Sequence, residues 1–355
     1  MKRKLATAYA VVCTIAFLAG LTLVFFFAQK AGVWETVEAL VGFAVSFAIA
    51  PVIHELGHVS FAQANGLRCT YVKCFCFRFQ RSGGKTKFSF VSPFAAEQTQ
   101  AFPTSGGNMQ KRVARYTLGG LVFSGALLIA IIAAALICAL LGAATYSLWG
   151  WIPYTAYLFL LNLPPFDYVS GKTDTLVYLG IRKGYDAESV MLSAMEIQGE
   201  LYEGKSFAQI EDSYYFDVPQ LCEDEPAFAV ILDLRYRYYL EKGETEKARQ
   251  TLDRLTQLLP YLSAETAQKI MAEKVYMRST LKDVDGAEAS GRVCREFLTS
   301  DEAAAKRALA AFCVACGRED EAELLIGQAE ASLQREEFTG ARKFEKILLS
   351  RLKKA

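Results

Sequence analysis

Four apolar runs lie in the first half of the chain, at about residues 5–28, 37–63, 116–143 and 146–166, and no such run follows Gly184. Each is near the ~20 residues a helix needs to cross the hydrocarbon of a bilayer. A backbone in that medium has no water to bond to and must satisfy its own polar groups, which within one segment means a helix. After Gly184 the sequence becomes charged and amphipathic. The expected fold is therefore mainly α. A polytopic membrane domain of about four transmembrane helices spans residues 1–184, with a small β-hairpin in an inner loop, and a cytoplasmic α-helical repeat domain spans 185–355.

The second run contains His54-Glu55-Leu56-Gly57-His58, a complete H-E-x-x-H, and its two histidines are the only two among 355 residues. On a helix, positions four apart lie one above the other on one face, so both imidazoles can reach one metal ion. Glu55 follows the first histidine, where it can act on a metal-bound water as general base. The flanks, Val45 to Ile53 and Val59 to Ala62, are almost all apolar or small. Ionisable groups at that depth are expensive, which argues for function over packing. The pattern predicts a Zn²⁺ site with His54 and His58 as ligands.

Charge bias sets the expected topology. Lys2, Arg3 and Lys4 place the N-terminus inside. They also resemble the first part of a signal peptide. The run behind them is too long for one, and no small-residue cleavage site follows Phe25 to Lys30, so a retained helix is expected. The link 30–38 carries Glu35 and Glu38 and suits the outer side, whereas 67–115 carries nine lysines and arginines and suits the cytoplasm. Lys172, Arg182 and Lys183 mark the inner face again, which leaves the C-terminal half cytoplasmic. A net charge of +1 gives no case for nucleic acid. Nine cysteines without a framework fit a reducing compartment, and Cys313-Val-Ala-Cys316 is a lone C-x-x-C in an alanine-rich helix.

Within the inner loop, Tyr71 to Phe79 and Lys85 to Val91 read as two strands of a hairpin turning at Gly83-Gly84. The open edge of such a sheet could pair with an extended peptide. Gly119, Gly120, Ser124 and Gly125 open the third run, and small residues there let helices approach closely, with the helix of the two histidines the natural neighbour.

A catalytic zinc keeps three protein ligands and one open position. With no third histidine, the third ligand must be Asp, Glu or Cys. The fourth run ends in Asn162-Leu163-Pro164-Pro165-Phe166-Asp167, followed by Tyr168 to Asp174. Two prolines break the helix, and an acid beside such a break can turn back to the metal. Asp167 and Asp174 are both candidates.

At these residues the chain resembles the site-2 protease family of intramembrane zinc metalloproteases, over about residues 40–183. The resemblance rests on His54-Glu55-Leu56-Gly57-His58 and on Asn162-Leu163-Pro164-Pro165 with a following Asp. The family's second motif is N-x-x-P followed by Asp-Gly. Asn162 and Pro165 match, but neither Asp167 nor Asp174 precedes Gly. Lys172-Thr173-Asp174 is most similar to the longer form ending in T-D-G, which favours Asp174 as third ligand. The resemblance implies cleavage of a transmembrane or membrane-adjacent peptide, with Glu55 as proton carrier and Asn162 helping to hold the oxyanion.

In the C-terminal half, turns at Glu241 to Ala248 and Gly317 to Ala322 recur, with weaker ones at Gly204 to Ala208 and Lys282 to Ala287. Spacing near the ~34 residues of a tetratricopeptide unit suggests stacked helical hairpins with a groove for a cytoplasmic protein partner or substrate. The alternative to a protease is a membrane scaffold that keeps the zinc site and acts through its repeats.

Overall fold

A computed structural model of the chain describes residues 2–82, 85–93, 98–104, 108–143, 145–168 and 171–354. It is predominantly α-helical, and its contacts divide it into two compact units. The first comprises Met1–Gln80, Thr86–Phe102 and Gly106–Tyr185; the second comprises Arg81–Lys85, Pro103–Ser105 and Asp186–Ala355.

The first unit contains α1 (Lys2–Ala31) and α2 (Val33–Ala64), with Gly32 alone between them. The link 30–38 read from sequence as a loop is thus mostly helix. Four strands follow, β1 (Leu67–Cys74), β2 (Phe77–Ser82), β3 (Lys85–Phe90) and β4 (Gln98–Pro103). Then come α3 (Met109–Thr117), α4 (Gly119–Leu140) and α5 (Tyr146–Asn162). A short pair, β5 (Asp167–Tyr168) and β6 (Gly171–Lys172), leads into α6 (Asp174–Lys183). Three stretches are helices long and apolar enough to cross a membrane: Lys4–Ala31, Val33–Ala64 and Met109–Leu140.

Close backbone approach fixes the helix packing. A Cβ added to Gly57 would strike the Gly119 carbonyl, and one added to Gly119 would strike that of Gly57. Gly42 lies against the Ser147 backbone and Gly150 against the Ala39 carbonyl, so α2 meets both α4 and α5 through glycines.

The strand order is β3-β2-β1-β4. The sequence reading of Tyr71 to Phe79 as one strand is corrected here. The segment folds on itself, with Cys74 opposite Phe77 and Lys73 opposite Arg78. The two-residue turn is Phe75-Cys76, and Phe75 adopts φ 51°. A bulky residue rarely takes that conformation, and no Gly, Asn or Pro marks the turn, so local signals miss it. The expected Gly83-Gly84 turn lies outside the described residues. Phe77, Phe79, Phe88 and Phe90 stack on one face of β2 and β3, with ring centroids 4.9–5.9 Å apart.

The second unit runs through α7 (Asp186–Glu203), α8 (Ser213–Phe216), α9 (Pro226–Lys242), α10 (Thr245–Gln257), α11 (Ala264–Thr280) and α12 (Val284–Val293). It continues with α13 (Arg295–Leu298), α14 (Ala303–Ala315), α15 (Glu319–Ser332) and α16 (Thr339–Leu352). Helices α9 with α10, α11 with α12 and α14 with α15 pack as consecutive pairs. Gly243 (φ 79°) and Gly317 (φ 73°) make the turns of the first and last pair in left-handed conformation, which a side chain would strain. The turn at Gly204 to Ala208 leads instead into a single 3₁₀ turn, Phe207–Gln209. Helix α16 packs on α7, α9 and α14, so the last helix joins the same apolar core as the first.

That core contains an ion cluster with no local sequence signal. The Arg307 side chain is fully buried, donating to Glu345 at 2.7 Å and to Glu273 at 2.7 Å. Tyr236 donates to Glu273 at 2.9 Å, and the guanidinium stacks 4.3 Å from the Tyr276 ring. Burial would raise the Glu273 carboxyl, but the charges of Arg307 and Arg237 outweigh it and hold the group below its ordinary value.

Candidate metal centre

Helix α2 sets His54 and His58 one turn apart on one face, with ring centroids 5.0 Å apart. Both rings are fixed from behind. Nδ1 of His54 lies 3.0 Å from the Ser124 hydroxyl, and Nδ1 of His58 lies 3.1 Å from the Tyr116 carbonyl. That carbonyl belongs to the last turn of α3, where a helix end leaves carbonyls without their usual partners. Tyr116 lies two residues before Leu118, the junction of α3 and α4, whose amide also donates to the Tyr116 carbonyl. A carbonyl can only accept, so Nδ1 of His58 carries a proton, and in the neutral ring Nε2 then presents a lone pair.

Asp174 completes the group. Its Oδ2 lies 3.3 Å from Nε2 of His54 and 3.4 Å from Nε2 of His58. The path to it begins where Leu163-Pro164-Pro165 ends α5. The chain then doubles back, pairing Asp167 with Lys172 and Tyr168 with Gly171. Thr173 pins the return, its hydroxyl donating to the Pro164 carbonyl at 2.8 Å and accepting from the Leu176 amide at 3.2 Å. Thr173 caps α6, and Asp174 is the first residue of that helix, where the positive end of the macrodipole favours a carboxylate. The Gln110 amide, donating to the Ile181 carbonyl at 2.6 Å, ties α3 to α6.

The donor atoms of His54, His58 and Asp174 all lie within 4.8 Å of one another, and among the described residues this is the one group of three or more such residues that could hold a metal ion. The contacts of Asp174 with the histidines are ion pairs only if the rings are protonated. With Nδ1 of His58 carrying the proton of a neutral ring, Nε2 offers none to Oδ2, and that buried oxygen has no hydrogen-bond partner. An orphaned carboxylate oxygen facing two imidazole nitrogens suits a cation, and the N, N, O donor set suits a zinc-like ion. A backbone carbonyl, as behind His58, is a usual outer partner of a ligating histidine, and the Ser124 hydroxyl lies in the same place behind His54. Gly120 completes the cradle, because a Cβ there would strike Nε2 of both rings.

Glu55 is buried beside this group and accepts a hydrogen bond from the Thr99 hydroxyl on β4. Thr99 is anchored in turn, its carbonyl accepting from the Tyr116 hydroxyl at 2.7 Å. Asn162 closes α5. Its side-chain amide donates back to the Leu158 carbonyl at 3.4 Å, and its backbone carbonyl accepts from the Thr175 hydroxyl at 2.9 Å. Asp167 sits on β5 opposite Lys172. Cys69, on β1, is half-buried, and burial pushes its thiol up to about 11, which keeps it a neutral thiol.

Sequence reasoning missed Thr99 and Tyr116 and assigned Gly120 and Ser124 only to helix packing. Tyr116, Gly120 and Ser124 recur at intervals of four, which places them on one helical face. Compared with family models, with curated proteins and with solved structures, the chain matches none.

Proposed function

We propose that the chain is a zinc metalloendopeptidase that cuts a transmembrane or membrane-adjacent peptide from within the bilayer. The observation that carries this reading is the convergence of Oδ2 of Asp174 on Nε2 of His54 and Nε2 of His58, which lie with buried Glu55 on a helix apolar enough to span a membrane. His54, His58 and Asp174 would hold Zn²⁺, which when bound supplies a water of lowered pKa and a Lewis acid for the scissile carbonyl. Glu55 would be the group that accepts the proton of the attacking water and passes it to the leaving amine. Ser124 and the Tyr116 carbonyl keep the imidazoles oriented. Asn162, at the mouth of the α5 break, is the candidate for steadying the oxyanion, and its amide would turn from Leu158 to do so.

The substrate is a chain that can unwind, since a helical amide is shielded by its own hydrogen bonds. β4 is an edge strand, and Thr99 on it reaches Glu55, so an extended segment pairing there would lie near the base. Helix α5, a 17-residue apolar segment, is the proposed fourth pass, which leaves the basic inner loop and the C-terminal half in the cytoplasm. The helix pairs of that half, with glycine turns at Gly243 and Gly317, support a tetratricopeptide-like array that recruits substrate or a protein partner.

Metal analysis with a cleavage assay tests this reading. The purified protein should hold about one zinc per chain, His54→Ala should lose it, and Glu55→Gln should keep it while losing cleavage of a co-expressed membrane substrate. A Glu55→Gln variant that still cleaves would refute the role of Glu55.

A further inference from the structure

We propose that Thr99 on β4 is the positioning residue for the Glu55 carboxylate. The inference rests on the reading of Glu55 as general base. The last torsion of a glutamate is soft and broadly distributed, so hydrogen-bond donors decide how its carboxylate is oriented. A hydroxyl has one proton, and Thr99 directs it at Oε2 of Glu55. That bond joins a residue of α2 to one 44 positions later on a strand.

The strand is placed to hold it. Along β4, Gln98 and Gln100 are exposed and Thr99 between them is half-buried, as alternation along a strand requires. Valine would suit such a position equally well by shape and by strand preference. The hydroxyl is therefore the chemical difference that threonine brings, and its partner is the buried acid. Tyr116 then links base and ligand. Its hydroxyl fixes the Thr99 carbonyl at 2.7 Å, and its own carbonyl fixes Nδ1 of His58 at 3.1 Å. The carboxylate and one metal ligand are thus both referenced to a single tyrosine of α3, although they reach it by separate paths. Such referencing matters because small misplacements of a catalytic group cost large factors in rate.

The test uses full-length protein in detergent, with Co²⁺ as spectroscopic probe and amide hydrogen exchange as a readout independent of activity. Thr99→Val removes the hydroxyl and keeps the shape. Amides of residues 98–101 should exchange at least about tenfold faster, as expected for loss of a hydrogen bond to a charged group. Glu55→Leu should accelerate the same amides, and the double variant should add nothing further. The visible spectrum of bound Co²⁺ should shift in Thr99→Val in the same direction as in Glu55→Gln, with Co²⁺ stoichiometry unchanged. Thr99→Ser should restore both exchange and spectrum. Wild-type exchange and spectrum in Thr99→Val, or additive effects in the double variant, would overturn the assignment of Thr99. A Thr99→Ser variant as perturbed as Thr99→Val would overturn it too, since strand shape rather than the hydroxyl would then matter. If Co²⁺ fails to bind the wild type, the metal centre itself is wrong, whereas the exchange experiment still decides the Thr99–Glu55 bond.

Discussion

Replacing Gly120 by alanine should weaken zinc binding by about 30-fold. The methyl would occupy space now held by Nε2 of both imidazoles and by Cε1 of His54. Two responses are open. The helices could part, but that would undo the contact in which the backbones of Gly57 and Gly119 meet. The rings could instead swing away, giving up the bond of His54 to Ser124 and that of His58 to the Tyr116 carbonyl. A net hydrogen bond contributes about 1 kcal/mol, so losing two costs about 2 kcal/mol, which is about 30-fold in a binding constant. The figure lies inside the ~1–3 kcal/mol range for overpacking a tight site. Transfer of zinc from the purified variant to a chromophoric chelator measures it. Gly125→Ala is the control, since a Cβ there meets the Phe159 ring on α5 and not the histidines. Wild-type zinc affinity in Gly120→Ala would refute the idea that the glycine leaves room for metal-bound imidazoles. Equal loss in Gly125→Ala would assign the effect to helix packing in general.

Ser124→Ala removes the partner of His54 Nδ1 and should lower zinc affinity ~10–100-fold, the usual cost of losing an outer partner; chelator competition reads it, and an unchanged affinity would show that the serine does not orient the ring. Asp174→Asn should weaken zinc far more than Asp167→Asn, because Asp174 faces both imidazoles and Asp167 faces Lys172, and the reverse ranking by metal analysis would move the ligand. Arg307→Ala strands two buried carboxylates and should destabilise the second unit by ~3–5 kcal/mol in denaturant unfolding; a loss under ~1 kcal/mol would show that the cluster is already relaxed or hydrated. The Glu273 carboxyl is held below its ordinary value in the folded state, so its stabilisation is complete above the unfolded glutamate pKa of ~4.3 and is lost as pH falls through the lower folded value. Acid unfolding of Arg307→Ala should therefore begin at higher pH than in wild type.

The helices of the first unit were readable because a long apolar run needs no partner to declare itself. Their ends were not. The link at residues 30–38 carries Lys30, Glu35 and Glu38 and looks like a loop, yet α1 runs to Ala31 and α2 begins at Val33. An acid in a first turn, as Glu35 is, favours the start of a helix as well as it favours water. The strand at Tyr71 to Phe79 failed for a different reason, and the clue was present. One strand repeats a face at even spacing, whereas Lys73 and Arg78 are five apart. Charges at odd spacing share a face only if the chain reverses between them, as it does at Phe75-Cys76.

The same contrast of local and distant signals governs the two polar clusters. His54, Glu55 and His58 are adjacent in sequence and on one helical turn, so spacing alone brings them together. Asp174 lies 116 residues beyond His58 and could be sought only through the proline break that precedes it.

 The sequence distance from His58 to Asp174 carries no information by itself; what narrowed the search was that Pro164 and Pro165 must end α5 and free the chain to return. Tyr116, Gly120 and Ser124 showed a shared face by their spacing, but spacing names a face without naming what it meets. Arg307, Glu273 and Glu345 had no such spacing, since their helices α14, α11 and α16 meet only once the second unit is packed. In both clusters the sequence shows which residues carry the charge, and tertiary contact decides which of them meet. That is why His54 and His58 could be assigned as a pair from the chain alone, whereas the residues that hold them in place required the crossing of α2 with α3 and α4 at Gly57 and Gly119.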